Sequence, residues 1–194
     1  MTTLDEAWAW YAATGEGAKR LAHLATHWDA LPWESEDGWV RALSRDAALG
    51  WIGGRELGAG AEVIRAELAD LAVLVLFSVF EANVRDWVEA RVRPEASRIT
   101  EPMLQHAAQG LLEVIEHGSF GRLLEPYKSA ATADLIEQVN QVRRYRNWVA
   151  HGRRASKNPG ARVEPRQAYE RLREFLALLR SLDAPVSPVG GTRA

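Results

Sequence analysis

The chain has 194 residues, of which 47% are hydrophobic and 26% are charged, and its formal net charge is −2 at pH 7. This composition is typical of a globular domain with a sizeable core, and it excludes both a disordered chain and a polycation built to coat nucleic acid. The absence of cysteine excludes disulfide frameworks, thiolate metal sites and a cysteine nucleophile.

Neither a membrane span nor an export signal is predicted. The apolar stretch of residues 71–80 is half the roughly 20 residues that a membrane-spanning helix needs. The first ten residues lack the basic start and apolar run of a signal peptide. We therefore expect a cytoplasmic protein with no membrane partner.

The amino-terminal quarter carries helical patterns interrupted by glycine. A break is expected at Gly15 and Gly17, and the residue before Pro32 ends the second helix because it avoids helical angles. Signals are mixed over residues 32–60, where the glycine-rich stretch lacks the Gly-Lys-Ser/Thr ending of a phosphate-binding loop, so we predict a flexible linker. The predicted helices of this extension, residues 1–55, are 4–11 and 19–30.

Four main helices are predicted from Ala61 onward. The longest is expected to stop at Pro94 because proline breaks a helix interior, and Thr100 is expected to cap the next, with Pro102 just inside it. No alternation of apolar and polar residues predicts a sheet, so the fold class is all-α. The tail, 184–194, is expected to be disordered. The predicted helices are 61–93, 102–116, 133–151 and 165–182, with a short one near 120–128.

Basic residues are concentrated late in the chain. From Arg143 to Arg166 there are eight basic residues and one acid, whereas the first 37 residues carry seven acids and two bases. Such a stretch indicates either a phosphate-binding surface or a solvated helix end and loop. The candidate phosphate-binding residues are Arg143, Arg144, Arg153, Arg154 and Lys157.

Two charged residues fall in the middle of apolar stripes at helical spacing. Arg146 lies within the stripe of helix 133–151, and Glu81 lies within that of helix 61–93. Burying either charge is costly unless it is compensated. Arg146 can reach water along its stem or pair with Glu81, and Glu81 can pair with Arg146 or with Arg85 one turn on.

A second, mostly polar face of helix 133–151 carries Asn147 and His151. Histidine is suited to proton transfer near neutral pH, although near a helix end it is also a common cap or surface residue. Residues 146 and 151 lie about 140° apart on an ideal helix, so both cannot easily point at one phosphate. A pairing of two chains, or a distorted last turn, would relieve that difficulty.

A histidine pair on the predicted helix 19–30 has the spacing of two metal ligands. His23 and His27 stand one helical turn apart, but no third ligand with recognisable spacing accompanies them. Surface histidines are the favoured interpretation. No serine triad or nucleotide-binding signature is present, so no metal or other cofactor is predicted.

The segment RNWVAHG, residues 146–152, resembles the HEPN family pattern of an arginine, a polar residue, three further residues and a histidine. The segment FSVFEANVRDW, residues 77–87, is similar to the acidic-residue helix of that family. The resemblance covers residues 61–183 and implies a four- or five-helix bundle, commonly a dimer whose two motifs line one cleft. The toxin branch has a tyrosine two residues after the histidine, where this chain has Arg153.

The resemblance implies a metal-independent endoribonuclease, possible roles being a toxin or a defence effector. His151 would then move protons, Arg146 would stabilise charge on the phosphate, and Asn147 would orient His151 or hold a phosphate oxygen. The expected partners are an RNA substrate, a second copy of the chain, and an antitoxin or a larger defence protein. The alternative is a non-catalytic helical module that binds RNA or a protein partner through the same basic face. Two residues are expected to support the site: Glu81 and Arg85.

Overall fold

The computed structural model of the protein describes residues 1–46 and 52–182. Within these ranges the chain forms seven α-helices, two short 3₁₀ helices and no β-strand, so the all-α prediction is confirmed. The α-helices are α1 (Leu4–Trp28), α2 (Gly38–Arg45), α3 (Gly54–Arg98), α4 (Pro102–His117), α5 (Phe120–Leu124), α6 (Ala133–Ala150) and α7 (Pro165–Ser181). The 3₁₀ helices are Glu125–Ser129 and Ala155–Lys157. The predicted tail, 184–194, lies outside the described residues.

No helix in these described ranges is both long enough and apolar enough to cross a membrane. The helices from α4 onward begin and end close to their predicted limits. Glu101, rather than Thr100, caps α4, because its Oε2 accepts from the Leu104 N–H at 2.7 Å. A carboxylate at this position also complements the positive end of the helix dipole.

Two of the predicted interruptions are wrong, because the chain is helical where they were placed. Gly15 and Gly17 lie inside α1, where a glycine costs only about 0.5–1 kcal/mol. A Cβ at Gly15 would be in ordinary contact with Leu68 of α3, at 3.7 Å. The helix also continues through Pro94 to Arg98. Pro94 has no N–H to donate to the Ala90 carbonyl, but Ala90 is exposed, so water can take the place of that hydrogen bond.

The predicted flexible linker is wrong over residues 54–60, which form the first turns of α3. A Cβ at Gly54 would lie 2.7 Å from the Ala25 carbonyl oxygen, so only glycine allows the backbones to approach this closely. The Gly54 N–H donates to Asp29 Oδ1 at 2.9 Å, which satisfies a donor that has no partner within the helix. A tertiary contact thus defines where α3 begins.

The chain divides into two compact units. Among the described residues, the amino-terminal unit lies within Asp5–Ala72, and the carboxy-terminal unit comprises Met1–Leu4 and the residues from Val73 to Leu182. Helix α3 contributes residues to both, and the division lies later than the boundary predicted between residues 55 and 61. In the amino-terminal unit Trp28 is 3% exposed, and its Nε1–H donates to the Ile52 carbonyl at 2.7 Å.

The core of the carboxy-terminal unit contains four phenylalanine rings from α3, α5 and α7. Phe80 lies 5.7 Å from Phe77, 5.5 Å from Phe120 and 5.7 Å from Phe175, measured between ring centroids. Edge-on and tilted contacts at these distances stabilise a core beyond the apolar area that is buried. Glu81 immediately follows Phe80, so the core also determines where that carboxylate lies. The HEPN-like arrangement of the helices stays a prediction.

Candidate functional site

The candidate residues lie at the end of α6, where the backbone forms a Schellman turn. Gly152 has a φ of +78°, and its N–H donates to the Val149 carbonyl at 3.1 Å. The Arg153 N–H donates to the Trp148 carbonyl at 2.9 Å, which completes the motif. Gly152 therefore ends α6 as a left-handed cap. Arg153 also has a positive φ, +54°, which is uncommon outside glycine.

The end of α6, the turn and the loop that follows it line an open groove of about 450 Å³. Its volume lies within the range of about 300–1,000 Å³ found for ligand pockets. Cationic, amide, imidazole and aromatic groups line it together. The lining residues are Arg144, Asn147, Trp148, His151, Arg154, Asn158 and Pro159.

Arg146, the other half of the predicted catalytic pair, does not line this groove with His151. Its Nη1 donates to Asn147 Oδ1 at 3.0 Å, and its guanidinium carbon lies 5.4 Å from the centre of the Phe77 ring. The side chain is 30% exposed, so the stem is partly buried while the charge retains access to water. Asn147 contacts Arg146 and also lines the groove, and it thereby connects the two.

Glu81 pairs with both arginines considered for it. Arg85 Nη2 donates to Glu81 Oε1 at 2.7 Å, and Arg146 Nη2 lies 3.8 Å from Glu81 Oε2. The predicted proximity of Glu81 and Arg146 is confirmed, and the ion pair with Arg85 is the shorter of the two. The predicted burial of Arg146 and Glu81 is only partial, since their side chains are 30% and 22% exposed.

Arg85 also has a structural role at the end of α4. Its Nη2 donates to the Gly118 carbonyl at 2.9 Å, and its Nη1 donates to the Ile115 carbonyl. The last carbonyls of a helix lack partners within the helix and carry its negative dipole end, so a guanidinium is a favourable cap there. Arg85 thus connects α4 to Glu81.

The five candidate phosphate-binding residues, which were predicted to contact RNA, have different environments. Arg144 and Arg154 line the groove, and Arg144 also pairs with Glu137. The hydrogen bond from Arg144 lowers the pKa of the Glu137 carboxyl. Arg143 lies instead against α5, with its Nη1 3.3 Å from where a Cβ on Gly121 would be. Arg153 is exposed, and the side chain of Lys157 lies outside the described part of the chain.

Trp148, Asn158 and Pro159 line the groove and were not predicted as site residues. Helical spacing could have indicated Trp148, because at 100° per residue it lies about 40° from Arg144 and on the same face as His151. Asn158 and Pro159 belong to the loop after the second 3₁₀ helix. No periodicity indicates which way a loop residue points, so their position required the structure.

The histidine pair on α1 lies apart from this groove. The rings of His23 and His27 have their centroids 5.1 Å apart in an edge-on arrangement. Over the described residues, 1–46 and 52–182, no group of three histidine, cysteine, aspartate or glutamate side chains is placed to hold a metal ion.

Comparison with protein-family models, with curated proteins and with solved structures finds no match to this chain.

Proposed function

We propose that the protein is a metal-independent endoribonuclease of the HEPN type that binds single-stranded RNA in the groove at the end of α6. One observation carries the proposal: His151 lines this groove together with Asn147 and two arginines, Arg144 and Arg154. The arginines supply positive charge for phosphates, and the imidazole is a group that can move a proton.

In the proposed reaction the 2′-oxygen of a ribose attacks the adjacent phosphorus. A bond forms between the 2′-oxygen and phosphorus, the bond to the 5′-oxygen breaks, and a 2′,3′-cyclic phosphate and a 5′-hydroxyl result. His151 would accept the 2′-hydroxyl proton or deliver a proton to the leaving oxygen. A fixed guanidinium would stabilise the added negative charge on the phosphate, which is the role proposed for Arg146.

His151 lines the groove and Arg146 of the same chain does not. The proposal therefore includes a homodimer, in which a second chain supplies the arginine. In a two-fold pair, Arg146 of one chain can contribute to the site that holds His151 of the other. Light scattering on the purified protein checks this. A monomer at the concentrations where cleavage is observed would rule out the shared site.

The central experiment incubates the protein with single-stranded RNA and EDTA and identifies the product termini. We expect cleavage with 2′,3′-cyclic phosphate ends, and a loss of ~10²–10⁴-fold in rate for His151→Ala. Arg146→Ala and Arg146→Lys should both fail, because an ammonium does not replace the planar guanidinium fork. His106→Ala, which removes an exposed histidine on α4, is the matched control and should cleave normally.

A biological role as a toxin or defence effector in the cytoplasm is part of this proposal. Expression of the wild type should then arrest growth, and expression of His151→Ala should not. Co-expression of an antitoxin or of a larger defence partner should relieve the arrest. Normal growth with abundant, folded wild-type protein would contradict a toxin role.

The second candidate is a non-catalytic helical module that binds RNA or a protein partner through the same face. The observation that favours it is the engagement of the Arg146 guanidinium by Asn147 Oδ1 and Glu81, away from the groove. If no RNA is cleaved and the wild type and His151→Ala bind RNA or a protein equally, this candidate replaces the nuclease.

A further inference from the structure

The groove contains an aromatic surface that the proposed chemistry does not use, the indole of Trp148. The side chain is half-buried, and it lines the groove together with Arg144 and Arg154. Its ring centroid lies 5.6 Å from that of Tyr145, which is buried. The indole is therefore supported by the core while part of its surface remains in the groove.

The orientation of the indole is fixed by a hydrogen bond. Its Nε1–H donates to the Arg154 carbonyl at 3.0 Å, across the left-handed turn at Gly152 and Arg153. The polar edge of the ring is thus satisfied by the protein, and the ring is held in place before any ligand binds. A rigid aromatic surface loses little conformational entropy when a ligand stacks on it.

The loop that contributes Asn158 and Pro159 to the groove is fixed as well. Asn158 Oδ1 accepts from the Gly160 N–H at 2.9 Å, and the Asn158 N–H donates to the Ala155 carbonyl at 3.3 Å. Gly160, with a φ of +83°, permits this turn. Both walls of the groove are therefore held by hydrogen bonds within the chain.

We propose that Trp148 is a stacking platform for one unpaired base of the RNA, with Arg144 and Arg154 at the flanking phosphates. The inference rests on the proposed function and specifies the substrate as RNA with an accessible base. Bases within a duplex are stacked on their neighbours, whereas single strands offer free ring faces to aromatic side chains. Because every base has such a face, the platform favours single-stranded RNA but does not require a particular base sequence.

The test compares two oligomers that cannot be cleaved. One is a heptamer of tetrahydrofuran abasic units, and the other carries one 2′-O-methyladenosine at its centre. Neither has a 2′-hydroxyl next to a phosphate, so binding is measured without catalysis, by fluorescence anisotropy. Because the rest of the oligomer is uniform, it can shift along the groove until its single base meets Trp148. The base should raise the affinity of the wild type on the order of tenfold, since stacking is worth ~1–3 kcal/mol per base.

Two substitutions distinguish stacking from a structural role of the indole. Trp148→Phe and Trp148→Leu both remove the hydrogen bond to the Arg154 carbonyl, but only the phenylalanine retains an aromatic face. We expect the base-dependent gain in affinity to persist for Trp148→Phe and to vanish for Trp148→Leu. Trp39→Ala, which removes a tryptophan that is 57% exposed in the amino-terminal unit, should behave as the wild type.

The outcomes separate this inference from the nuclease proposal. Base-dependent binding that requires an aromatic residue at position 148 supports the platform even if no RNA is cleaved. Cleavage by a protein that binds both heptamers equally overturns the platform and leaves the nuclease intact. A base-dependent gain that survives in Trp148→Leu also overturns it.

Discussion

Glu81 Oε2 lies 3.8 Å from Nη2 of Arg146, and the two residues belong to different helices, α3 and α6. The other carboxylate oxygen of Glu81 accepts two hydrogen bonds from Arg85, at 3.2 Å and 2.7 Å. Each of these side chains is between 20% and 30% exposed. The pairs are therefore less screened than surface ion pairs but are not desolvated as a fully buried pair would be.

Removing Glu81 should destabilise the protein because two partly buried guanidinium groups lose their shared carboxylate. For Glu81→Ala we expect a loss of about 1–2 kcal/mol, between the values for surface and buried pairs. Urea unfolding measures it. Glu89→Ala is the control, because Glu89 pairs with Arg93 at the same i, i+4 spacing on the same helix but is 38% exposed. Equal losses from the two variants would show that the connection to α6 contributes nothing.

The left-handed turn after His151 should not tolerate a side chain on Gly152. Gly152→Ala should cost about 1–2 kcal/mol because its φ of +78° is strained for alanine. Cleavage should fall with it, since His151 immediately precedes the turn. Gly110→Ala in α4 is the opposite control, because that glycine is helical and exposed, with open space around it. It should stabilise by about 0.5–1 kcal/mol in thermal unfolding.

Two neighbouring arginines should differ in how they affect RNA binding. Arg144→Gln should weaken binding and reduce the slope of log Kd against log salt by about 0.7, the value for one phosphate contact on a single strand. Arg143→Gln should leave that slope unchanged, because the Arg143 guanidinium lies against Gly121 on α5. Titrations at several salt concentrations measure both. A lower slope for Arg143→Gln would place the phosphates on another face.

Stability should fall at alkaline pH through Tyr127. Burial raises the pKa of its hydroxyl above the usual 10.0, and the positive charge of Arg91 opposes the shift only in part. Above pH 10 the unfolded chain therefore loses this proton while the folded chain retains it, so unfolding becomes more favourable as pH rises. In Tyr127→Phe this part of the decline should disappear. The free energy of unfolding is measured for the wild type and for Tyr127→Phe at pH 7 and at pH 11. Between these two pH values the wild type should lose more stability than the variant.

The amino-acid sequence by itself determined features that depend on residues close together in the chain. The start of α4 at Pro102 and the left-handed cap at Gly152 follow from local preferences of the backbone. Glu81 and Arg146 lie far apart in the chain, yet their proximity was predictable from two local patterns. Each interrupts an apolar stripe whose period is set by the helix, and a charge in such a stripe needs a compensating partner.

Other features that depend on contacts between elements were decided only by the tertiary structure. Helix α3 begins at Gly54 because Asp29 caps it and Ala25 lies against it, and neither contact is visible in the glycine-rich stretch itself. Arg143 and Arg144 are adjacent and have the same local preferences, yet one lies against α5 and the other lines the groove. The loop residues that line the groove beside α6 were also decided by the structure, because a residue's local preferences do not specify which side chains it will meet.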